Sequence, residues 1–412
     1  MKDEKLSIRS CMLALLLLMF TLIATAPISL AAEKKTNKSQ MELIVMTYNI
    51  FAGGSRSTPL EIAASIKFAN ADIIGIQEPA QSLPGLAELL GFYHNERMSI
   101  LSRYPIIDHG DKDFVYVEVE PGKVVAVSNV HLPAAPYMPY QLRDQNYTVD
   151  LVIRHEKTQE RMNGIASRLE SLPKIAEKEI PVFLTGDFNT PSHLDWTEEA
   201  RTNHYGFVVE WPISKKLEQL GFLDSYRDIY PDPVAKPAYT WTSGLPGREP
   251  PIEPNEKHDR IDFIYHAGPV KTLDSQVVGE SGPYSDLSMA KWPSDHRAVV
   301  SMFEIIPVDK PWNISPDKRT YSSGDPITVS FNGSSKETDW IGLYHVQKRS
   351  EEGSIQWKYA SSNTVIPSLH KSEGVVSFTD TASLSPGIYK ILFLADNGYR
   401  VLNEKTISIL PN

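Results

Sequence analysis

The sequence predicts an α/β fold over residues 42–306, followed by a smaller all-β region. Two observations support the first part: short apolar runs of strand length recur, and segments with helical spacing lie between them. A third observation supports the second part, because only strand-like stretches and turns occur beyond residue 306. This mixture fits two sheets packed face to face with helices outside, and it equally fits a doubly wound sheet.

Each apolar run ends at or near a carboxylate, amide or imidazole side chain. The first four runs cover residues 43–48, 73–77, 124–130 and 182–186, and they lead to Asn49, Glu78, His131 and Asp187, respectively. Two further runs, at 260–265 and 297–303, also have strand composition. Asp262 lies in the first of these, and Asp295 and His296 directly precede the second.

Three segments between the strands have helical signals. Thr58-Pro59-Leu60-Glu61 is a capping box with proline at the first helical position, so a helix is expected to begin there. A second helix is predicted over about 155–172, where the apolar residues keep helical spacing. A third is predicted over 214–220 and is expected to stop at Gly221.

The C-terminal quarter of the chain is predicted to form a separate module. Three prolines within residues 307–316 indicate a linker. Residues 317–412 contain an alternating run at 327–331 and a second run at 387–394 after a Ser-Pro turn signal. About 100 residues of this kind predict a small immunoglobulin-like β-sandwich.

Residues 1–31 have the pattern of a secretory signal. A basic start precedes an apolar run at 12–26, and Ser29 and Ala31 are small residues that suit cleavage. An uncleaved membrane anchor is the alternative, although the run is shorter than the roughly 20 residues that span a bilayer. The single cysteine, Cys11, lies in this segment, so the exported chain would hold no disulfide, which favours a bacterial source.

Composition narrows the functional classes. With 41% hydrophobic and 22% charged residues among 412, the chain is expected to be globular. A formal net charge of −10 disfavours a protein that binds nucleic acid mainly through a basic surface. Nucleic acid stays possible as a substrate, because a metal-dependent enzyme can approach a phosphodiester without a net basic surface.

The polar residues at the strand ends gain significance as a group. Any one of them is more often a turn former, a cap or a solvated residue than a catalyst. Strand ends of one sheet system converge, however, and so many carboxylates in one cleft require a cation. Oxygen-rich ligands favour Mg²⁺, with Mn²⁺ or Ca²⁺ as alternatives, over Zn²⁺. The group consists of Asn49, Glu78, His131, Asp187, Asn189, Asp262, Asp295 and His296.

Asp262 has two interpretations. It alternates with Ile261 and Phe263, so it would share one strand face with Arg260. Either the two charges form a surface ion pair at a sheet edge, or Asp262 accepts a hydrogen bond that holds a histidine in the correct tautomer. The sequence leaves both open.

Six motifs occur in the order typical of one superfamily. They are Thr47-Tyr48-Asn49-Ile50, Gln77-Glu78, Asn129-Val130-His131-Leu132, Gly186-Asp187-Phe188-Asn189, Arg260-Ile261-Asp262-Phe263-Ile264 and Ser294-Asp295-His296-Arg297. With these motifs the chain resembles the endonuclease/exonuclease/phosphatase superfamily. The resemblance implies a four-layer α/β sandwich, with two mixed sheets face to face and helices outside.

The resemblance also implies a metal site. Glu78 would be the main ligand, assisted by Asn49 and, through water, by Asp295. Mg²⁺ is the ion that such a site is expected to hold.

The remaining residues would carry the chemistry. By resemblance, Asp187 and Asn189 would orient or deprotonate the attacking water. His296, paired with Asp262, would contact the scissile phosphate, and His131 would face the leaving group as a general acid. These roles are chemically consistent, because imidazoles neutralise charge on phosphate oxygens and a carboxylate activates water.

The substrate is less well defined than the reaction. The chain does not closely match the nuclease, inositol phosphatase or sphingomyelinase branch of the superfamily. The C-terminal module is similar to SKICH-type domains at 339–344, 386–389 and 397–399. This second resemblance implies contact with a lipid or cell surface. The predicted function is a secreted metal-dependent phosphoesterase that acts on a phosphodiester or phosphomonoester. A lipid-directed sphingomyelinase or phospholipase C, or a secreted nuclease, is the alternative. A non-catalytic surface-binding protein is the third hypothesis.

Overall fold

The computed structural model describes residues 40–241, 257–360, 364–366 and 369–411. The predicted signal segment at 1–31 lies outside these residues. In the described part of the chain, no helix has the length and apolarity needed to cross a membrane.

Two seven-stranded sheets form the first part of the chain. Their spatial orders are β12-β11-β13-β1-β2-β4-β3 and β5-β6-β7-β8-β10-β9, with β14 paired to β7 in the second sheet. The strands are β1 (Met41–Asn49), β2 (Ile73–Gln77), β3 (Tyr93–Asn95), β4 (Ile100–Ser102), β5 (Ile106–Ile107), β6 (Val115–Glu120), β7 (Lys123–His131), β8 (Val182–Asp187), β9 (Leu223–Asp224), β10 (Asp262–Ala267), β11 (Val270–Glu280), β12 (Leu287–Met289), β13 (Ala298–Ile305) and β14 (Val308–Asp309).

The helices lie between these strands in the sequence. They are α1 (Pro59–Phe68), α2 (Leu83–Leu90), α3 (Met138–Arg143), α4 (Val149–Thr158), α5 (Glu160–Ala176), α6 (Pro212–Gln219) and α7 (Ser225–Ile229), with a helical turn at Phe51–Gly54 and a 3₁₀ turn at Arg201–Asn203. A further 3₁₀ turn, Ser350–Glu352, belongs to the C-terminal region.

Apolar side chains fill the space between the two sheets. Phe303 on β13 contacts Phe183 on β8, with ring centroids 5.0 Å apart, in a core that also includes Val45 and Val127. The opposite faces of the sheets are covered by helices: α1 and α2 pack on the first sheet, and α5 and α6 pack on the second. This arrangement confirms the predicted α/β class and selects face-to-face sheets with helices outside over a doubly wound sheet.

Two of the helix predictions agree with the structure and one differs. Thr58 caps α1, since its hydroxyl accepts from the Glu61 amide while the Glu61 carboxylate accepts from the Thr58 amide. Helix α6 ends before Gly221, which has a φ of +82°. The single helix predicted over 155–172 is instead two helices, α4 and α5, which are broken at Gln159 in an extended conformation. The two helices bury their apolar faces in different cores, so a straight continuation would expose one face.

The C-terminal region is all-β and has two sheets, ordered β15-β17-β20 and β16-β22-β21-β18-β19. Within the span 307–316, β14 pairs with β7 and the following strand, β15, pairs with β17. The apolar residues predicted at 327–331 and 387–394 fall in strands, as expected. The strands are β15 (Asn313–Pro316), β16 (Thr320–Ser322), β17 (Ile327–Asn332), β18 (Trp340–His345), β19 (Gln356–Tyr359), β20 (Glu373–Phe378), β21 (Gly387–Leu394) and β22 (Val401–Leu410).

Candidate active site

Strand pairing brings the predicted polar residues to one rim of the two sheets. In the second sheet, β7 runs parallel to β8, which places His131 opposite Asp187, and β10 runs antiparallel to β8, which places Asp262 opposite the same residue. In the first sheet, β1 and β2 are parallel, so Asn49 lies opposite Gln77 and next to Glu78. Three neighbouring strands of the second sheet and two of the first therefore supply the site.

The last two predicted residues reach this rim through a turn. The Ser294 hydroxyl donates to the Asn49 carbonyl over 2.5 Å, which fixes the turn that precedes β13 against the end of β1. Asp295 and His296 both lie in this turn and both line the same cavity as Glu78 and Asp187.

Asp187 is a buried carboxylate at the cavity floor, surrounded by polar neighbours. The Asn49 side-chain amide donates to Asp187 Oδ2 over 3.0 Å, and it also donates to Glu78 Oε1 over 3.2 Å. His131 Nε2 lies 3.6 Å and His296 Nε2 lies 3.8 Å from Asp187 Oδ2. Burial and the neighbouring Asp262 raise the pKa of the Asp187 carboxyl to about 6, against the opposing influence of the two histidines.

Asp262 pairs with His296. The distance between Asp262 Oδ2 and His296 Nδ1 is 2.9 Å, and both side chains are buried. Burial lowers the pKa of the His296 imidazole, but Asp262 and Asp187 outweigh it and raise that pKa to about 10. Because Nδ1 is engaged by Asp262, the proton-exchanging atom on the cavity side is Nε2.

The surface ion pair between Arg260 and Asp262 does not form. Arg260 is buried, and its guanidinium instead binds Asp195 and Asp224, at 2.9 Å and 2.7 Å. The side-chain carboxylate of Asp195 also accepts from Arg227 Nε over 2.7 Å. The residues of this buried cluster lie outside the cavity lining.

Glu78 is held in a strained backbone conformation. Its φ is +56°, in the left-handed region that costs roughly 1–3 kcal/mol for a side chain of this kind. Its carboxylate accepts from the Ala52 amide over 2.7 Å, and its carbonyl accepts from the Gly53 amide over 2.7 Å. These bonds aim the half-buried carboxylate at the cavity mouth.

Asn189 connects the site to the segment after β7. Its own amide donates to Asp187 Oδ1 over 2.9 Å, and its side-chain amide donates to the Leu132 carbonyl over 2.9 Å. Asn189 also has a left-handed backbone, with a φ of +49°. The position of Asp187 and that of the Leu132 segment are thus coupled through one side chain.

The oxygen donors of the cavity fit a hard divalent cation. Glu78 and Asp295 both contribute carboxylates to the lining. Ligand atoms of Asp187, Asp262 and His296 also lie within 4.8 Å of one another, but the His296 imidazole is engaged by Asp262. Asp262 Oδ1 is buried and has no hydrogen-bond partner in the described part of the chain, so one more carboxylate oxygen nearby is uncompensated. A set this rich in oxygen suits Mg²⁺, Mn²⁺ or Ca²⁺.

The cavity above these residues has a volume of about 660 Å³ and two unlike walls. One wall carries the site residues, and the other is apolar and aromatic. Tyr137, Tyr140 and Trp241 form that second wall, with the two tyrosine rings 5.0 Å apart and the Tyr137 and Trp241 rings 5.6 Å apart. The two tyrosines come from the segment that directly follows His131, Tyr137 before α3 and Tyr140 within it. Trp241 lies outside every sequence motif and is placed by backbone bridges to Asp259 and His296.

Arg161 supports the aromatic wall from behind. Its guanidinium donates to the carbonyls of Ala134 and Pro136 over 2.9 Å and 2.6 Å. It also donates to Glu156 Oε1 over 2.7 Å, and both side chains are buried. The loop that bears Tyr137 is therefore attached to α4 and α5.

Comparison with known proteins assigns the chain to a family. The model of the endonuclease/exonuclease/phosphatase family matches residues 46–296, which is more than half of the chain and contains all eight predicted site residues. The chain belongs to this family. Members of the family are hydrolases that act on phosphate esters, and they typically depend on a divalent metal.

The individual proteins that resemble the chain differ from it at most sequence positions, with identities of 15% to 30% in the three examples that follow. A Caenorhabditis elegans protein, F14F9.5, is 30% identical over 325 residues, which cover 71% of this chain and 100% of that protein. Among solved structures, an endonuclease/exonuclease/phosphatase from Beutenbergia cavernae is 15% identical, covers 89% of this chain and 99% of its own, and has a TM-score of 0.40. An AP endonuclease from Archaeoglobus fulgidus is 20% identical, with 63% and 98% coverage and a TM-score of 0.40.

Proposed function

We propose that this family member is a divalent-metal-dependent phosphoesterase that hydrolyses a phosphodiester or phosphomonoester by attack of water. One observation carries the proposal. The Asp187 carboxylate lies at the cavity floor between two imidazole rings, His131 and His296, next to Glu78. A base, two proton donors and a cation ligand are thus within reach of one phosphoryl group.

Glu78 and Asp295 would hold the cation. The third ligand implied by the resemblance, Asn49, turns its side-chain oxygen to the Phe51 amide and its nitrogen to Glu78, so it would orient Glu78 instead of binding the ion. When bound, a divalent cation polarises the phosphoryl oxygens and offsets the negative charge that develops on them. The backbone strain at Glu78 supports this assignment, because the bonds to Ala52 and Gly53 fix a carboxylate orientation that the relaxed chain would not adopt.

The other residues would move protons. Asp187, with a carboxyl pKa near 6, accepts the proton of the attacking water, and Asn189 helps to orient that water. His296 is an imidazolium at neutral pH, so its Nε2–H can donate to a phosphate oxygen while Asp262 holds Nδ1. His131 is partly exposed at the mouth, where it can donate a proton to the leaving oxygen.

The size of the cavity supports a substrate with a bulky organic group. A volume of about 660 Å³ exceeds the space that a phosphate group needs, and the remainder faces Tyr137, Tyr140 and Trp241. Aromatic walls of this kind stack on flat or apolar groups. The proposed substrate is therefore an organic phosphate ester rather than a small inorganic condensed phosphate.

The same proposal includes Mg²⁺ as the native ion and export through residues 1–31. It also divides the chain into a catalytic domain at 42–306, a linker at 307–316 and a SKICH-like domain at 317–412. The sequence patterns support them. N-terminal sequencing of the protein recovered from the medium of an expressing bacterium tests export; an intact Met1 in the cell pellet would contradict it.

Hydrolysis assays on the full chain test the catalytic proposal. The panel contains bis-p-nitrophenyl phosphate, p-nitrophenyl phosphate, plasmid DNA, sphingomyelin and inositol phosphates, each with Mg²⁺ and with EDTA. We expect turnover of at least one substrate that EDTA abolishes and that Glu78→Gln removes. Glu88→Gln, an exposed glutamate on α2, is the matched control and should retain full activity. Turnover that survives EDTA or Glu78→Gln would refute the proposed metal site.

A further inference from the structure

A second aromatic cavity lies in the C-terminal region, far along the chain from the catalytic residues. It has a volume of about 280 Å³ and is lined by Trp340, Trp357, Tyr359 and Tyr399, together with Asn397 and Ser354. Along β18, side chains alternate between the two faces of the sheet. Ile341 and Leu343 enter the core between the two C-terminal sheets, whereas Trp340 and Tyr344 form a separate cluster on the outer face.

The rings of this cavity stand at steep angles to one another. The planes of Trp340 and Trp357 cross at 76°, those of Trp340 and Tyr399 at 79°, and those of Trp357 and Tyr359 at 88°. The corresponding centroids are 6.0, 6.1 and 5.2 Å apart. Rings that cross in this way form the sides of a box rather than a flat platform, so a compact group inside it meets several ring faces at once.

Part of the hydrogen-bonding capacity of the lining is used within the protein. Trp340 Nε1 donates to the Gly398 carbonyl over 2.9 Å, and the Tyr359 hydroxyl donates to Asn397 Oδ1 over 2.7 Å. These two bonds hold two of the rings in place. A cation that binds through contact with ring faces needs no hydrogen bond from the lining.

The lining itself carries no charge that would oppose a cation. None of the lining side chains is charged at neutral pH. Glu351 and Glu352 lie in the 3₁₀ turn that leads into lining residue Ser354. They are balanced by Arg349 and Lys348, so the turn adds no net charge. The negative faces of the rings therefore set the electrostatics of the cavity.

We propose that this cavity binds a quaternary ammonium group, such as the trimethylammonium of a choline compound. The same chemistry is present on a phosphatidylcholine surface and on soluble choline esters. The proposal does not depend on the catalytic site, since it concerns different residues on a different sheet.

Ligand-observed NMR titration of the full chain tests the proposal. The probes are choline chloride and 3,3-dimethyl-1-butanol, a neutral molecule of the same shape. We expect saturable choline binding that is at least about tenfold tighter than binding of the neutral analogue, as for a cation in contact with several rings. Trp357→Ala and Tyr399→Ala should each weaken choline binding by roughly tenfold.

Exposure guides the choice of variants and of the control. Trp357 is 37% exposed and Tyr399 is 54% exposed, so neither truncation removes a buried core residue. Tyr93→Ala, at a tyrosine that is 52% exposed on β3, is the matched control and should leave choline binding unchanged. Folding of each variant is checked by its thermal unfolding midpoint.

Three results would overturn the proposal: no saturable choline binding, equal binding of the neutral analogue, or full binding by both ring variants. Competition by a neutral pyranoside at lower concentration would likewise reject it in favour of a sugar site. Co-sedimentation with vesicles identifies the source of the ligand. Retention on phosphatidylcholine but not on phosphatidylglycerol vesicles assigns the site to a membrane surface, and choline binding without retention assigns it to a soluble ligand.

Discussion

Replacement of Arg161 by alanine tests how the aromatic wall of the active site is supported. The Arg161 side chain is 5% exposed and that of its partner Glu156 is fully buried. Arg161 makes the hydrogen bond to Glu156 and the two bonds to the carbonyls of Ala134 and Pro136. Truncation therefore leaves one buried carboxylate and two loop carbonyls without their donor.

The expected loss is large. Removing one partner of a buried ion pair costs about 3–5 kcal/mol, because the other charge stays buried and uncompensated. Burial already raises the pKa of the Glu156 carboxyl, and Arg161 opposes that rise. Without Arg161 this pKa should rise further, so part of the penalty is relieved by protonation and the loss at pH 5 should be smaller than at pH 8.

The double variant Arg161→Leu/Glu156→Leu separates stability from loop position. It removes both charges, so most of the lost free energy of unfolding should return. The loop carbonyls still lack their donors, so the Michaelis constant for the substrate identified in the hydrolysis panel should rise while kcat changes little. A wild-type Michaelis constant would contradict the role of Arg161 in placing the loop.

Urea unfolding followed by tryptophan fluorescence measures the stability effect. Arg201→Ala is the control, since Arg201 forms a surface ion pair with Glu198 in which both side chains are more than half exposed. Surface pairs of this type contribute about 0–1 kcal/mol. If Arg161→Ala costs no more than Arg201→Ala, the buried pair does not carry the energy assigned to it.

Three further predictions follow from the site and from the buried histidines. Asp262→Asn should lower turnover by about 10²–10⁴-fold. The substitution removes the negative charge that raises the pKa of the His296 imidazole, so that pKa should fall from about 10. An unchanged pKa of His296 in an NMR titration would contradict the prediction. Mg²⁺ at 100 times its Kd should stabilise the wild type by about 2.7 kcal/mol in thermal unfolding, and an equal gain in Glu78→Gln would argue against Glu78 as a ligand. Burial lowers the pKa of certain histidines to about 4, below the unfolded value of 6.5, so the unfolded chain takes up protons first as the pH falls. The free energy of unfolding should therefore decrease from pH 6.5 to 4. His266→Gln should reduce that decrease in urea unfolding, and an identical decrease in the variant would reject the reasoning. These histidines are His109, His204 and His266.

The strand ends were predictable because the signal is local. An apolar run of five or six residues indicates a buried strand. The polar residue that follows the run then lies at the end of that strand, on the rim of the sheet. Asn49, Glu78, His131 and Asp187 all follow such runs. The structure places the last three in the lining of one cavity, and the buried Asn49 donates hydrogen bonds to Glu78 and Asp187. β1 pairs in parallel with β2, and β7 pairs in parallel with β8, so the ends of these strands lie side by side on one rim.

Features that depend on contacts distant in sequence were not predictable. Strict alternation would place Arg260 on the same face as Asp262, but β10 begins only at Asp262, so Arg260 precedes the strand and turns to Asp195 and Asp224. Trp241 reaches the cavity through backbone bridges to distant segments, and no local pattern marks it. The break at Gln159 likewise depends on two separate cores that the helix spacing does not reveal.

The register of β8 and β10 explains how two similar carboxylates can serve different purposes. Asp187 and Asp262 lie opposite each other, so both cannot keep a full negative charge at no cost. Asp262 pairs with His296 at 2.9 Å, and burial together with repulsion from Asp262 raises the pKa of Asp187 to about 6. The same pair raises the pKa of His296 to about 10. In the proposed mechanism, one backbone register thus supplies a base at Asp187 and an acid at His296, which is the separation of pKa values that general acid–base chemistry on a phosphate ester requires.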